Sequence, residues 1–172
     1  MIAVVETQST DRWLAELYRG HYRELVRLAA LLLGDVATSE EVVQDAFVRV
    51  HLARGRLQDE AKALAYLRSA VLNGARSAIR KREVRRRPLR VVTGPARSPE
   101  GDAIADDEHR RMVAALRSLP ARQRECLALR YYLDLSEAEI AAALGISAGS
   151  VKTHASRGLA ALAKQLEGED RR

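Results

Sequence analysis

The sequence has few of the residues that cross-link small proteins or build metal centres. It contains one cysteine, Cys126, and four histidines in 172 residues. A lone cysteine excludes an internal disulfide, and no cluster of histidine or acidic residues surrounds it, so we expect no metal site and no cofactor. Cys126 stands in an apolar pattern with Leu127 and Leu129, which favours a small buried side chain over a redox sensor.

Long apolar runs are absent as well. No stretch approaches the roughly 20 apolar residues that a membrane-spanning helix requires. The first five residues carry no basic segment of a secretion signal. The sequence therefore predicts a soluble, cytoplasmic protein without membrane insertion.

The chain does contain enough apolar material to fold, since 47% of its residues are hydrophobic and only four are prolines. No alternating strand pattern occurs, whereas apolar residues recur at helical three- and four-residue steps. This periodicity predicts a first helix that ends at Gly34 and a second that a capping box of Thr38 and Glu41 opens. A third helix is predicted from about Lys62 into an arginine-rich segment.

Proline, glycine and acidic residues interrupt the helical pattern at 88–106, which indicates a flexible linker. Periodicity resumes beyond it, with one helix that opens at Pro120 in its first turn. We therefore predict an all-α fold of two small helical domains, residues 1–87 and 107–172, joined by the linker.

Positive charge is concentrated in the first of these domains. The net charge is +6, yet residues 1–90 carry 17 basic and 11 acidic side chains, whereas residues 91–172 carry 12 of each. Residues 76–90 alone hold eight basic side chains against Glu83. Because this block continues an amphipathic helix at least to Lys81, we predict a surface for the DNA backbone; the alternative is a disordered basic tail.

A helix-turn-helix is predicted over residues 135–162. Ser136 and Glu139 form a capping box, Gly145 supplies a left-handed turn, and Ser147 can cap the second helix. The inward residues of that second helix are predicted to be Val151, Ala155, Leu159 and Leu162.

The opposite face of the second helix is basic and rich in hydroxyl groups. At 3.6 residues per turn it comprises Gly149, Ser150, Lys152, Thr153, Ser156 and Arg157, with His154 at its edge. Such side chains bind base edges and phosphates, and the glycine allows a phosphate to approach the helix N-terminus closely. We predict that this face binds DNA; the alternative is a helical hairpin with a solvated polar face.

Motifs of catalysis are missing. The sequence has no phosphate-binding glycine loop, no histidine-metal motif and no nucleophile elbow. The acidic residues 102 and 106–108 lie in or beside the predicted linker, where rigid metal geometry is not expected. We predict no catalytic residues and no enzymatic activity, with a metal-dependent nuclease as an alternative.

Five segments resemble one protein family. The segments LPARQRECLALRY at 119–131, LSEAEIAAALGIS at 135–147 and GSVKTHASRGL at 149–159 closely resemble region 4 of extracytoplasmic-function sigma factors. The segments EEVVQDAFVR at 40–49 and AYLRSAVLNGAR at 65–76 resemble region 2 of the same family. Together these segments extend over almost the whole chain.

The resemblance implies a subunit that binds core RNA polymerase at the β′ clamp and the β flap and directs it to promoters. Region 2 of such a subunit opens promoter DNA at the −10 element while region 4 holds the −35 element. The implied clamp contacts are Gln44, Asp45 and Arg49, whose alternative role is an ordinary solvated helix face. The implied −10 contacts are Asn73, Arg76, Arg80, Lys81 and Arg82.

Asn73 matches an asparagine that lies near the flipped −10 base in the family, and an amide can bind a base edge. Its alternative role is to satisfy backbone groups. The resemblance also implies a monomer when free and favours an anti-sigma factor that clamps both domains. A dimeric regulator, which would bind a symmetric operator without polymerase, is the competing interpretation.

Two features depart from the family pattern. Tyr66 lies where many members carry a nearby tryptophan, and residues 154–157 read His-Ala-Ser-Arg in place of an arginine-leucine pair. The resemblance therefore does not imply which promoter sequence is preferred.

Overall fold

The computed structural model describes residues 2–57, 59–86 and 103–169, and the side chains of 12–57, 59–85 and 108–167. Over this part of the chain the backbone is helical and forms no strand. The helices are α1 Ile2–Leu33, α2 Val36–Leu52, α3 Glu60–Arg86, α4 Ala103–Ser118, α5 Ala121–Leu127, α6 Glu137–Leu144 and α7 Ala148–Glu169. A short 3₁₀ turn, Arg54–Arg56, follows α2, and a π-helical turn, Ala128–Tyr132, extends α5.

The predicted all-α class with two helical domains is confirmed. Residues 88–102 of the predicted linker lie outside the described residues. Residues 103–106, which were assigned to the linker, form the first turn of α4. None of the described helices is both long enough and apolar enough to cross a membrane.

The N-terminal domain is a bundle of α1, α2 and α3. Its centre is filled by fully buried leucine and valine side chains, because apolar residues at helical spacing bring one face of each helix inward. Helices α2 and α3 cross closely at Gly74, where a Cβ atom would lie 2.7 Å from Cγ1 of Val42. Glycine therefore sets the spacing of the two helices that carry the predicted region 2 contacts.

The start of α2 differs from the prediction. Helix α2 begins at Val36, and its N-cap is Asp35, whose carboxylate accepts hydrogen bonds from the backbone N–H and the hydroxyl of Thr38. The hydroxyl bond is the first cause that lowers the pKa of Asp35 below its ordinary value. Thr38 and Glu41 thus lie inside the helix and form no capping box, because Asp35 follows the left-handed Gly34 directly and caps the helix three residues earlier.

In the C-terminal domain, α4 and α5 flank the helix-turn-helix formed by α6 and α7. The sequence predicts Pro120 in the first turn of α5. In the structure it is instead the N-cap, and the helix begins at Ala121. The two domains pack directly against each other through α3 with α6 and through α1 with α4 and the π-helical turn. Consequently the buried apolar side chains form one cluster that extends from Leu17 to Val151.

Candidate nucleic-acid interface

The first helix of the helix-turn-helix is fixed at both ends by local interactions. The hydroxyl of Ser136 accepts from the backbone N–H of Glu139 at 3.3 Å, and the Glu139 carboxylate accepts from the Ser136 N–H at 2.9 Å. The Ser136 backbone N–H, first, and the Ser136 hydroxyl, which donates to the same carboxylate at 2.7 Å, lower the pKa of Glu139. Gly145 ends α6 with a φ of 65°, in the left-handed region. The predicted capping box and glycine turn are therefore confirmed.

The start of α7 is capped as predicted. The Ser147 hydroxyl accepts from the backbone N–H of Ser150 at 3.1 Å and forms a second hydrogen bond with the Ser150 hydroxyl at 2.9 Å. The Thr153 hydroxyl donates to the Gly149 carbonyl at 3.0 Å, one turn back. One of the two serine hydroxyl protons and the Thr153 hydroxyl proton are therefore used in bonds within the protein, and the other serine hydroxyl can still donate.

The predicted DNA-binding face of α7 lies on the outside of the molecule. Its exposed residues are Gly149, Lys152, Thr153, Ser156 and Arg157, whereas Ser150 and His154 are half-buried. The ammonium Nζ of Lys152 lies 3.6 Å from the carboxylate of Glu137, which is also 3.4 Å from Arg130. Glu137 thus links the two helices of the motif and orients Lys152 while leaving it accessible.

One inward residue of α7 was predicted wrongly. Val151 is buried, and Ala155 and Leu162 are half-buried, but Leu159 is 44% exposed. Gly158 takes its place against α5, where a Cβ atom would lie 2.9 Å from Cδ1 of Leu127. Two helical turns span 7.2 residues, so Gly158, seven residues after Val151, lies nearer to the direction of Val151 around the helix axis than Leu159 does. That spacing was the signal that could have identified the glycine.

The basic end of α3 divides into two parts. Arg80, Lys81 and Arg82 are exposed along its last turns. Arg76 instead points into the C-terminal domain, where its Nε and Nη2 atoms bond the two carboxylate oxygens of Glu125 at 2.7 and 2.9 Å. Asn73 is exposed, and its Oδ1 accepts from Nη1 of the same arginine at 2.9 Å.

Glu125 is a site residue that the sequence reasoning missed. It is 3% exposed and is the buried acidic residue among the side chains described. A second cation, Arg122, bonds it from within α5 at 3.2 Å. No sequence signal marked it, because its partner lies 49 positions away in the other domain.

The three predicted polymerase contacts, Gln44, Asp45 and Arg49, are all exposed on α2. Arg49 also lines an open depression of about 410 Å³ between the end of α2, the 3₁₀ turn and α3. The other residues that line the depression are Leu52, Ala53, Gly55, Arg56 and Tyr66. Arg49 and Tyr66, which the sequence analysis treated separately, therefore line the same depression.

Cys126 is fully buried, which confirms its interpretation as a core residue. Burial is the first cause that raises the pKa of its thiol to about 11, and the negative charge of Glu125 adds to the shift. A thiol with such a pKa is protonated at neutral pH and is a poor nucleophile.

Comparison with known proteins assigns both halves of the chain to one family. Residues 17–85 match the sequence model of sigma-70 region 2, and residues 109–162 match that of sigma-70 region 4. The chain is 31% identical over 155 residues to the RNA polymerase sigma-E factor of Streptomyces avermitilis, covering 90% of this chain and 86% of that one. It is 30% identical over 153 residues to the ECF RNA polymerase sigma factor SigM of Mycobacterium tuberculosis, covering 88% and 76%.

The fold is also similar to a solved structure, that of the sigma factor RpoE in complex with the anti-sigma factor NepR from Bartonella quintana. The TM-score is 0.66 with 24% sequence identity, covering 93% of this chain and 98% of that one. Regions 2 and 4 in this order define a sigma-70-type transcription initiation factor. Within that class, the chain belongs to the extracytoplasmic-function family of RNA polymerase sigma factors, as the resemblance of its motifs implied.

Proposed function

We propose that this sigma factor contacts promoter DNA through one surface in each domain and has no catalytic activity of its own. The domain at 107–172 binds the −35 element as duplex DNA. The domain at 1–87 binds the polymerase clamp and the −10 element. The observation that carries this proposal is the exposed basic and hydroxyl-rich face of α7, held by a helix-turn-helix that is capped at each helix start.

The −35 contact follows from the chemistry of that face. Lys152 and Arg157 are exposed on α7 and bind phosphates or guanine edges, for which both side chains have the required donors. Gly149 presents no side chain beside the helix N-terminus, where backbone N–H groups and the helix dipole attract a phosphate. Ser150, Thr153, His154 and Ser156 complete this proposed interface.

The −10 contact is proposed for α3 and the depression beside it. Arg80, Lys81 and Arg82 form an exposed cationic row suited to the backbone of melted DNA. Tyr66 offers an aromatic ring and Arg49 a guanidinium beside the depression, a combination that suits an unstacked base next to a phosphate. Asn73 and Arg76 extend the same helix toward the C-terminal domain.

Core RNA polymerase is the proposed protein partner. Gln44 and Asp45 form an exposed polar face of α2 suited to the β′ clamp, and Arg49 lies at the border of this face and the DNA surface. We place region 4 at the β flap, the free protein as a monomer, and its action in the cytoplasm where polymerase and promoters are found. The anti-sigma complex of the similar RpoE supports an anti-sigma partner here as well.

Run-off transcription with core polymerase across a promoter library tests the proposal. We expect specific initiation from a subset of promoters. Lys152→Ala should reduce initiation roughly tenfold, because one base or phosphate contact contributes about 1–3 kcal/mol. Lys164→Ala is the matched control, since it removes an exposed lysine from the same helix about 18 Å further along.

The −10 role is tested with the same assay on templates that carry a premelted −10 bubble. Arg80→Ala should lower initiation on duplex templates more than on premelted ones, because it weakens the capture of open DNA. Absence of specific initiation by the unaltered chain on any promoter would reject the proposal. A stable dimer that binds a symmetric operator without polymerase would favour the dimeric-regulator interpretation instead.

A further inference from the structure

Arg76 and Glu125, the interdomain pair, connect α3 of the N-terminal domain to α5 of the C-terminal domain. The arginine is 23% exposed and the carboxylate 4% exposed at the side-chain level. Two parallel hydrogen bonds of 2.7 and 2.9 Å make the contact bidentate, the geometry in which a guanidinium also binds a phosphate. Glu125 thus presents to Arg76 the same kind of oxygen pair that a DNA backbone offers.

We propose that Glu125 is an internal competitor for promoter DNA, holding the two domains closed and occupying Arg76 until the domains separate. This inference rests on the −10 role proposed for α3. In the closed arrangement Nη1 of Arg76 also bonds Asn73, so two of the seven side chains proposed for the −10 contact are engaged within the protein. The outer face of α7 stays exposed, so the closed form occupies part of the proposed −10 contact and leaves the proposed −35 contact accessible.

Two further polar contacts hold the same interface. The Ser69 hydroxyl donates to the Ala143 carbonyl of α6 at 3.3 Å. Nη2 of Arg117, on α4, donates to the Ala30 carbonyl near the C-terminus of α1 at 3.2 Å, where the helix dipole favours a cation. The closed arrangement therefore depends on contacts along α1 and α3 together and not on a single ion pair.

The closed form can open without stranding a buried charge. Arg122 bonds Glu125 at 3.2 Å from the same helix, so the carboxylate keeps one cation when the domains separate. Arg76 then exchanges a carboxylate for solvent or for DNA phosphate. Removing one partner of a buried ion pair is costly, because the other charge is left unpaired. Glu125→Gln leaves Arg76 unpaired at the interface and therefore tests whether the pair holds the domains closed.

The test uses the full chain without polymerase and two measurements, the radius of gyration in solution scattering and affinity for a single-stranded oligonucleotide. A compact chain of 172 residues has a radius of gyration of about 16 Å, and a chain whose domains have separated has a larger one. Glu125→Gln should raise the radius and bind the oligonucleotide about tenfold more tightly, since apparent affinity follows the open fraction. Arg76→Gln should raise the radius equally but gain less affinity, because it removes the cation that opening releases.

Glu137→Gln is the matched control, because it neutralises a paired glutamate whose contacts lie within the C-terminal domain. It should leave the radius unchanged. Arg117→Gln opens the interface at a different contact and decides the matter if Glu125→Gln fails to fold. The proposal is overturned if Glu125→Gln, or Arg117→Gln where Glu125→Gln does not fold, keeps native helicity and shows an unchanged radius of gyration and oligonucleotide affinity. Neither the radius of gyration nor the oligonucleotide affinity requires transcription. Absence of run-off activity would therefore reject the proposed function without deciding whether Glu125 holds the domains closed.

Discussion

Two glycines in α7 should respond oppositely to the same substitution. Gly158 packs on α5, where a Cβ atom would lie 2.9 Å from Cδ1 and 3.2 Å from Cγ of Leu127, and 3.3 Å from Cβ of Gln123. Gly149 faces open space, and its nearest neighbour would be the Ser147 hydroxyl at 3.9 Å. Alanine at either position favours the helix, but only at 158 does it collide with a packed neighbour.

The sign of each effect follows from the magnitudes. Replacing a helical glycine by alanine stabilises by about 0.5–1 kcal/mol. Overpacking costs typically about 1–3 kcal/mol, and Leu127 is buried, so its side chain has little room to rotate away. We therefore expect Gly158→Ala to lower the free energy of unfolding by about 0.5–2 kcal/mol and Gly149→Ala to raise it by about 0.5–1 kcal/mol.

Thermal unfolding followed by circular dichroism measures the difference. For a chain of this length 1 kcal/mol shifts the melting temperature by roughly 2–4 °C, so the two variants should lie on opposite sides of the unaltered protein. Gly149→Ala should nevertheless initiate transcription less well, because its methyl group obstructs the proposed phosphate site at the start of α7. Equal stabilisation by both substitutions would refute the close crossing of α5 and α7 at Gly158.

Three further predictions concern the caps and the buried thiol. Ser136→Ala should destabilise the chain by about 1 kcal/mol in thermal unfolding, whereas Ser136→Asp, which keeps an acceptor for the helix N-terminus, should not; equal loss in both would contradict the capping role. The pKa of Asp35 is lowered from 3.8, chiefly by the Thr38 hydroxyl, so its stabilising contribution is present at neutral pH and is lost as pH falls below about 4. Asp35→Asn should therefore reduce the loss of unfolding free energy between neutral pH and about pH 3. An unchanged pH dependence would contradict the capping role of the Asp35 carboxylate. Cys126, buried with a thiol pKa of about 11, should react with a thiol reagent at neutral pH only when denaturant unfolds the chain; rapid labelling of the native protein would show that it is accessible.

Features encoded by neighbouring residues could be predicted from the sequence. The capping box of Ser136 and Glu139, the left-handed Gly145 and the solvent face of α7 depend on contacts within four residues or on helical periodicity alone. The family segments likewise assigned both regions correctly. At the start of α2 two local signals competed, and the carboxylate next to Gly34 became the cap in place of Thr38.

Other features required the tertiary structure, because they depend on which surfaces meet. The periodicity of α7 did not distinguish Leu159 from Gly158 as the residue against α5, and the close approach of Leu127 selected the residue without a side chain. The sequence marked Arg76 only as one cation in a basic block. Its pairing with Glu125 exists because the two domains pack together, and a contact across 49 positions leaves no periodic trace in either segment. Local chemistry therefore determined the helices and their caps, whereas the packing of the domains determined which charged groups are paired and which stay exposed.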